Sequence, residues 1–544
     1  MTAADIFVAE LQSRGVPFVA SLNGHGLDPF YLACQRANMR VIDVRNEQAA
    51  SYMAEVTGRL SRTVGVCAVS GAVAHANALT GVVNAWFDGA PMLLITGMIP
   101  LAELGWGNFQ DFNPVPMAAP VCKYARLVDD PHRIGQIVHE AFAAATSGRP
   151  GPVHLALPMD VAAAKVDPAR VVRSPVQSGV GQTGGAADPD QIETAVEMLN
   201  RAARPLLVAG SGLYYARGEA QLARFANQQQ IPTVVPIWDR GTVSEPLGPF
   251  MGVIGAASGG PRLLADADLI IMAGAEFDYR IGQFTPPAIA DDLQVIRIHA
   301  DASRLRQGLE AHLSILGSPA KVLDQLASAC VQSSCRPAES WFAEAKQRRA
   351  EYREACLEVA TNLPDGINGK DIVLTIHEHL TDQTIVLVDG GNIGQWFHQL
   401  LTDRYPGHWV TCGASGVVGW GLPGAMAARA LDSKRPVILL SGDGSFTFTT
   451  AELECASRQG LAFVVIVADD EQWGISVTGH LRQYQRPLYS MLGPTRFELV
   501  AKGFGCHGVR VEQLDQLGPA LAAALEADRP TVIHVPVVPS SPGK

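Results

Sequence analysis

Two acidic turns carry residues whose types and spacing suit them to work together. Gly442-Asp443-Gly444 follows the apolar run 437–440, and Asp469-Asp470 follows the apolar run 462–468. Between them, residues 450–459 read as a helix. Strand–helix–strand is the unit of a parallel sheet, and such sheets bind ligands at the carboxyl ends of their strands. Both turns fall at carboxyl ends, on one edge. Carboxylates suit a hard cation such as Mg²⁺, and a glycine-lined turn that opens a helix offers amide hydrogens to a phosphate. The pattern predicts a cation held together with a phosphate-bearing group.

The elements that must position these turns repeat along the chain. Strands are expected at 17–22, 40–44, 64–69, 91–96 and 153–157, with helices between them, including one over 47–59. This is a doubly wound α/β pattern. A Gly/Ser/Gln-rich linker is expected over 174–187. A second unit opens with a helix over 190–202 and has strands at 205–209, 233–236, 269–273 and 294–298, Rossmann-like in outline. Its Gly210-Ser211-Gly212 resembles a dinucleotide loop, but Tyr215 takes the third glycine's place and no acidic residue ends the next strand. A polar, helix-forming connector spans 333–361. The last unit has strands at 384–388, 409–412, 437–440, 463–468, 509–511 and 531–535. No sequence repeat relates the units.

A chain of 544 residues, 47% hydrophobic, is long enough for about three or four packed domains. Its net charge of −11 argues against nucleic acid as the main partner. The opening Met1-Thr2-Ala3-Ala4-Asp5 lacks the basic start and apolar run of a signal peptide. The most apolar stretch, 81–100, is broken by Asn84, Asp88 and Pro91, so a core helix, turn and strand are expected there, not a membrane span. Nine cysteines, an odd number with no CxxC pair, argue against a disulfide framework. A soluble, cytoplasmic protein is expected.

Four motifs together carry a resemblance. The chain has GDG at 442–444 and, some two dozen residues on, Asp469-Asp470-Glu471-Gln472-Trp473-Gly474-Ile475, which looks like NNxxxGM. Asn46-Glu47-Gln48-Ala49-Ala50 looks like HEQxA, and residues 416–423, GVVGWGLP, look like GxMGxGLP. By these the chain resembles the thiamine diphosphate enzymes. The stretches PMLLITG (91–97), GRPGPVHLALPMDV (148–161) and RPLLVAGSG (204–212) look like the acetohydroxyacid synthase, or acetolactate synthase-like, branch. Benzaldehyde lyases and 2-hydroxyacyl-CoA lyases belong to the same superfamily. The resemblance implies three doubly wound or Rossmann-like parallel-sheet α/β domains: pyrimidine-binding over 1–173, middle over 188–331 and diphosphate-binding over 362–544.

The resemblance also implies roles. Asp443, Asp470 and the carbonyl of Gln472 would hold Mg²⁺, with Asp470 standing where the family usually has asparagine. Asn392 and Gln395 would serve the diphosphate, and Gly442, Gly444, Ser445 and Gly474 would also bind the cofactor. The Gly416 carbonyl and Val418 amide would grip the pyrimidine, and Val418, helped by Ile475, would prop the bent cofactor. Glu47 would bond the aminopyrimidine ring and so govern the proton at the reactive carbon. Gln110, in Phe109-Gln110-Asp111, resembles a glutamine that reaches the active site, and His25, in a loop after the first strand, is a candidate proton relay. His75 is a candidate helix cap or substrate contact, with a structural role favoured. His480, Gln483 and Tyr484 are candidates to line the substrate channel, with a solvated loop favoured.

In this family the active site lies between chains, so a homodimer or homotetramer is expected. The implied activity is cleavage and formation of C–C bonds on a 2-oxo acid or 2-hydroxy ketone, most simply decarboxylation followed by carboligation. A 2-hydroxyacyl-CoA lyase or oxalyl-CoA decarboxylase taking an acyl-CoA, a simple 2-oxo-acid decarboxylase releasing an aldehyde, and a non-catalytic cofactor-binding homologue are the alternatives. The adjacent His-His pair of pyruvate decarboxylases is absent, and the C-terminal residues 535–544 include no long basic segment for a CoA tail. Some synthases of this branch hold FAD in the middle domain, for which this chain has no clear fingerprint.

Overall fold

The computed structural model describes residues 1–171, 184–255, 261–308, 310–335, 338–358, 366–400 and 403–540. Three six-stranded sheets, every pairing parallel, follow one another along the chain. The first contains β1 (Val19–Ser21), β2 (Val41–Asp43), β3 (Gly65–Val69), β4 (Met92–Met98), β5 (Tyr124–Leu127) and β6 (Pro152–Pro158), in spatial order 2-1-3-4-6-5. The middle sheet contains β7 (Pro205–Ala209), β8 (Thr233–Pro236), β9 (Phe250–Ile254), β10 (Leu269–Ala273), β11 (Gln294–His299) and β12 (Leu313–Leu316), ordered 12-11-10-7-8-9. The third contains β13 (Ile385–Asp389), β14 (Trp409–Thr411), β15 (Val437–Gly442), β16 (Val464–Asp469), β17 (His507–Arg510) and β18 (Thr531–Pro536), ordered 14-13-15-16-18-17. The first and third sheets therefore share one topology without a sequence repeat.

The central strands are runs of β-branched and apolar residues, such as LIIMA in β10 and VVIVAD in β16, buried along their whole length. Strands covered on both faces by helices need no alternation. The helix Glu47–Ser61 is buried from Ala49 to Arg59 because it is covered twice. One side packs on the first sheet and the other on the helix Gly421–Leu431 of the third. A Cβ at Gly424 would meet Leu387 at 2.7 Å and Val56 at 3.1 Å, so the close crossing depends on that glycine.

The structure adds three strands and gives the helix-forming connector its place. The edge strand β5, and β9 and β12 of the middle sheet, were not foreseen. The connector is a docked helix, Glu339–Glu358, whose Trp341 is buried and donates its indole N–H to the Pro205 carbonyl at 3.0 Å. Most of the 174–187 linker, the last connector residues and the final four residues lie outside the described residues. Among the described residues no helix is long and apolar enough to cross a membrane, and all nine cysteines are free thiols.

Candidate functional site

A cavity of about 360 Å³ lies at the carboxyl ends of β13, β15 and β16. It sits where the strand order of the third sheet reverses, between β13 and β15, the switch point at which such sheets bind ligands. The strand ends approach closely. Gly390 has φ +154°, and a Cβ there would lie 2.7 Å from the Gly442 amide nitrogen. After Gly442 the chain turns at once into the short helix Asp443–Thr447, which sets Asp443 in its first turn, where the macrodipole favours negative charge.

Asp443 is 4% exposed, and its Oδ2 has no hydrogen-bond partner. Burial, with the neighbouring Asp470 and Asp469 charges adding to it, pushes its carboxyl up to about 7. Asp470 is also raised, by burial first, while bonds from Gln472 and Asn392 oppose the shift. The Gln472 side-chain amide donates to Asp470 Oδ2 at 3.4 Å. Asn392 Oδ1 is buried without a partner as well. Crowded carboxylates with an orphaned oxygen fit a divalent cation, which would relieve both the repulsion and the missing bond. Among the described residues no three His, Cys, Asp or Glu side chains form a metal cluster. A cation here would complete its shell with carbonyl, water and ligand oxygens, as Mg²⁺ does beside a phosphate.

The opposite wall is the loop before the helix Gly421–Leu431. Asp389, at the end of β13, accepts from the Gly421 amide at 2.7 Å and the Gly419 amide at 3.3 Å, and burial pushes it up to about 6. The Thr449 hydroxyl donates to the Gly419 carbonyl at 2.8 Å. Gly416 and Gly419 take φ of +74° and +81°, a region open to glycine, and the loop so held lines the cavity with Gly416 and Val418.

Family models match the chain in order. The thiamine pyrophosphate enzyme N-terminal TPP binding domain matches residues 1–117, the central domain 192–326 and the C-terminal TPP binding domain 389–535. The chain belongs to the thiamine pyrophosphate enzymes. It is similar to an acetolactate synthase large subunit of Parasynechococcus marenigrum, 27% identical across 99% of this chain and 88% of that protein. A probable acetolactate synthase large subunit of Methanocaldococcus jannaschii is 25% identical across 99% and 92%. The acetolactate synthase isozyme 1 large subunit of Escherichia coli is 27% identical across 98% and 93%.

The structure sorts the candidate residues of this family member. Asn392, Gly416, Val418, Gly442, Asp443, Gly444, Ser445, Asp470, Gln472, Gly474 and Ile475 all line the cavity. Gln395 does not; it is half-buried a turn further along the helix Gly391–Leu400. Glu47, His25 and Gln110 lie at the carboxyl edge of the first sheet and do not line the cavity of their own chain. Glu47 begins its helix behind the N-cap Asn46, and its Oε2 accepts from Asn77 Nδ2 at 3.0 Å. The amides of Arg45 and Asn46 donate to the carboxylate of Glu452, at the head of the helix Glu452–Arg458 on the third sheet. His25 is exposed, edge-on to Phe109 at 5.7 Å.

Two readings are corrected. His75 does not cap its helix, but the structural role favoured for it agrees with its full burial: it shares the Thr96 hydroxyl with His154, and burial pulls it down to about 4. His480, Gln483 and Tyr484 are on the helix Gly474–Tyr484, not in a loop, and His480 Nδ1 accepts from the Leu488 amide at 3.3 Å.

Other lining residues had no local signal. Trp238 reaches the cavity from the end of β8 with φ +64°, rare for a bulky residue. Trp473 packs edge-on against Phe448 at 6.2 Å, and a Cβ on Gly444 would strike its indole ring. Val537, Val538 and Ser540 close the cavity from beyond β18.

The β7 loop of the middle sheet closes onto the neighbouring strand end. Gly210 and Gly212 donate to the Ala273 and Gly274 carbonyls at 3.0 and 2.8 Å, which brings the β7 loop onto the end of β10. The crevice beside them retains about 20 Å³ and is lined by the ion pair of Arg149 with Glu276 at 2.7 Å and by Arg280.

Proposed function

We propose that this enzyme uses thiamine diphosphate and Mg²⁺ to cleave and form C–C bonds on a 2-oxo acid or 2-hydroxy ketone, by decarboxylation followed by carboligation. The observation that carries the reading is the unpartnered Asp443 oxygen beside Asp470, in a cavity at the switch point of the third sheet. The names of the similar proteins, acetolactate synthases, favour carboligation.

Asp443, Asp470 and the Gln472 carbonyl would hold the metal. Asn392, with Gly442 to Ser445, would hold the diphosphate, and Gly416 and Val418 the pyrimidine. Thiamine diphosphate held there would supply a carbon nucleophile for carbonyl chemistry. Glu47 would hold a proton at the pyrimidine nitrogen. Because Glu47 does not line its own chain's cavity, the working site is read as shared by two copies. Exposed apolar side chains beside Gln110, Trp106 at 81% and Phe109 at 72%, suit burial against a second copy. Val418, Ile475 and Trp238 would give the reacting centre an apolar wall and limit water.

The test is incubation with thiamine diphosphate, Mg²⁺ and a panel of 2-oxo acids, aldehydes and acyl-CoAs, with CO₂ and products followed by mass spectrometry. A condensed hydroxy-keto product supports carboligation. Aldehyde alone indicates a simple decarboxylase, and turnover confined to acyl-CoA a lyase. Glu47→Gln should keep cofactor binding and lose nearly all turnover; undiminished turnover would refute the role given to Glu47.

A further inference from the structure

His534, on β18, is fully buried, and both of its ring nitrogens face carboxylates. Nε2 lies 2.8 Å from Asp469 Oδ2 and Nδ1 lies 2.6 Å from Glu498 Oε2. Arg510 Nη1 approaches Nδ1 at 3.3 Å, farther than Glu498 does. Phe497 closes the ring's face edge-on at 5.3 Å. Burial alone would push the Glu498 carboxyl up, but hydrogen bonds from His534 and Arg496 carry it down to about 2, so Glu498 is an ionised acceptor. The ring thus spans the two carboxylates, one at each nitrogen.

Asp469 is the last residue of β16 and immediately precedes Asp470. It is held at every acceptor. Oδ2 takes the His534 bond, Oδ1 accepts from the Glu471 amide at 3.2 Å, and its carbonyl accepts from the Val537 amide at 2.9 Å. Asp470 lines the cavity and Asp469 does not. Without His534, Asp469 would be a buried, poorly compensated carboxylate next to Asp443 and Asp470, a costly arrangement.

We propose that His534 is a positioning residue for the metal–diphosphate site: its bond to Asp469 offsets that carboxylate and fixes the turn from which Asp470 and the Gln472 carbonyl project. The proposal rests on the thiamine diphosphate reading and deepens it. Outer-shell partners of metal ligands act in this way elsewhere, and their loss weakens metal affinity about 10–100-fold.

The experiment compares wild type, H534Q and the double variant D469N/H534Q as full-length proteins. Mg²⁺ is titrated at saturating thiamine diphosphate, with intrinsic tryptophan fluorescence as the signal, since Trp473 forms part of the cavity wall. The melting temperature without ligands is read alongside. H534Q should weaken apparent Mg²⁺ affinity at least about tenfold. Asp469→Asn in that background should restore it to within about threefold, because it removes the buried carboxylate left without its His534 partner. A merely structural role would lower the melting temperature and leave this rescue absent. Mg²⁺ affinity in H534Q within about twofold of wild type, or a double variant no better than the single one, overturns the proposal. Should H534Q not fold, E498Q is titrated instead; a loss of about threefold or more is expected and unchanged affinity overturns the idea. Wild-type protein that binds no thiamine diphosphate with Mg²⁺ overturns the functional reading itself, whereas binding wild type with unaffected variants overturns only the role of His534.

Discussion

Replacing Asp88 by alanine should loosen the joint that holds the three sheets together. Asp88 ends the helix Val73–Asp88 on the first sheet and meets two guanidinium groups, Arg59 of the Glu47 helix and Arg240 of the middle sheet. Glu55 also pairs with Arg59, and none of the four side chains is more than 6% exposed. From the third sheet, the Thr411 carbonyl accepts from Arg59 at 2.7 Å, and Trp420 lies under the guanidinium at 5.3 Å. Tyr214 of the middle unit donates to the Arg59 carbonyl at 2.7 Å. Burial pushes the Glu55 carboxyl up and, with the Arg240 charge adding to it, pulls Arg59 down to about 10, so each charge depends on its partners. Removing Asp88 takes away the carboxylate shared by the two buried guanidinium groups and leaves Glu55 paired with Arg59 alone. Breaking a buried pair in this way costs about 3–5 kcal/mol. At about 2–4 °C per kcal/mol for a domain of this size, the first unfolding transition should fall by about 6–20 °C. Calorimetry is the suitable assay, because three sheets need not melt in one step. The double variant D88L/R240L leaves the Glu55–Arg59 pair intact and should recover at least half of the loss, since apolar replacement of a buried ion pair is often neutral. A D88A protein melting within about 2 °C of wild type, or no recovery in the double variant, would refute the reasoning.

Asp470→Asn removes one of the charges that raise Asp443, so Mg²⁺ binding should be preserved or tightened in calorimetric titration; complete loss of cofactor binding would show that Asp470 has been misread. Asp443→Ala removes a proposed ligand together with its unpartnered oxygen and should abolish Mg²⁺-dependent binding of thiamine diphosphate in the same titration. Glu452 gives a pH dependence. Burial, opposed by the Arg45 and Asn46 amides, raises its carboxyl from 4.5 to about 7. The folded state then holds the proton more tightly than the unfolded one. The stability it contributes is fully present below 4.5 and is lost as pH rises through about 7, a total of about 3 kcal/mol. Melting temperatures of E452Q should vary less across that window than those of wild type, and parallel curves would contradict the assignment.

What was legible in the sequence was what the chain writes locally. Strands covered on both faces, such as β10 and β16, declare themselves as unbroken apolar runs. Three edge strands gave weaker signals: β5 is half-buried throughout and β12 alternates, while β9 is interrupted by Gly252 at φ +102°. The cavity was legible for the same reason, because its proposed metal and diphosphate groups come from turns contiguous with β13, β15 and β16. Contacts that join distant segments left no such trace. Asp389 holds amides 30 and 32 residues further on, and His534 reaches back 65 residues to Asp469. Trp238 enters from another sheet altogether. Glu47 shows the difference most clearly. Its motif was readable, but its setting was not, since the carboxylate of Glu452, more than 400 residues away, holds the two amides that precede it. Glu47 is thus fixed to the third sheet of its own chain while lying outside that sheet's cavity. If it serves the cavity of a second copy, any shift of the Glu452 helix on one cofactor sheet carries the Glu47 that serves the other, which couples the two sites through a single buried carboxylate.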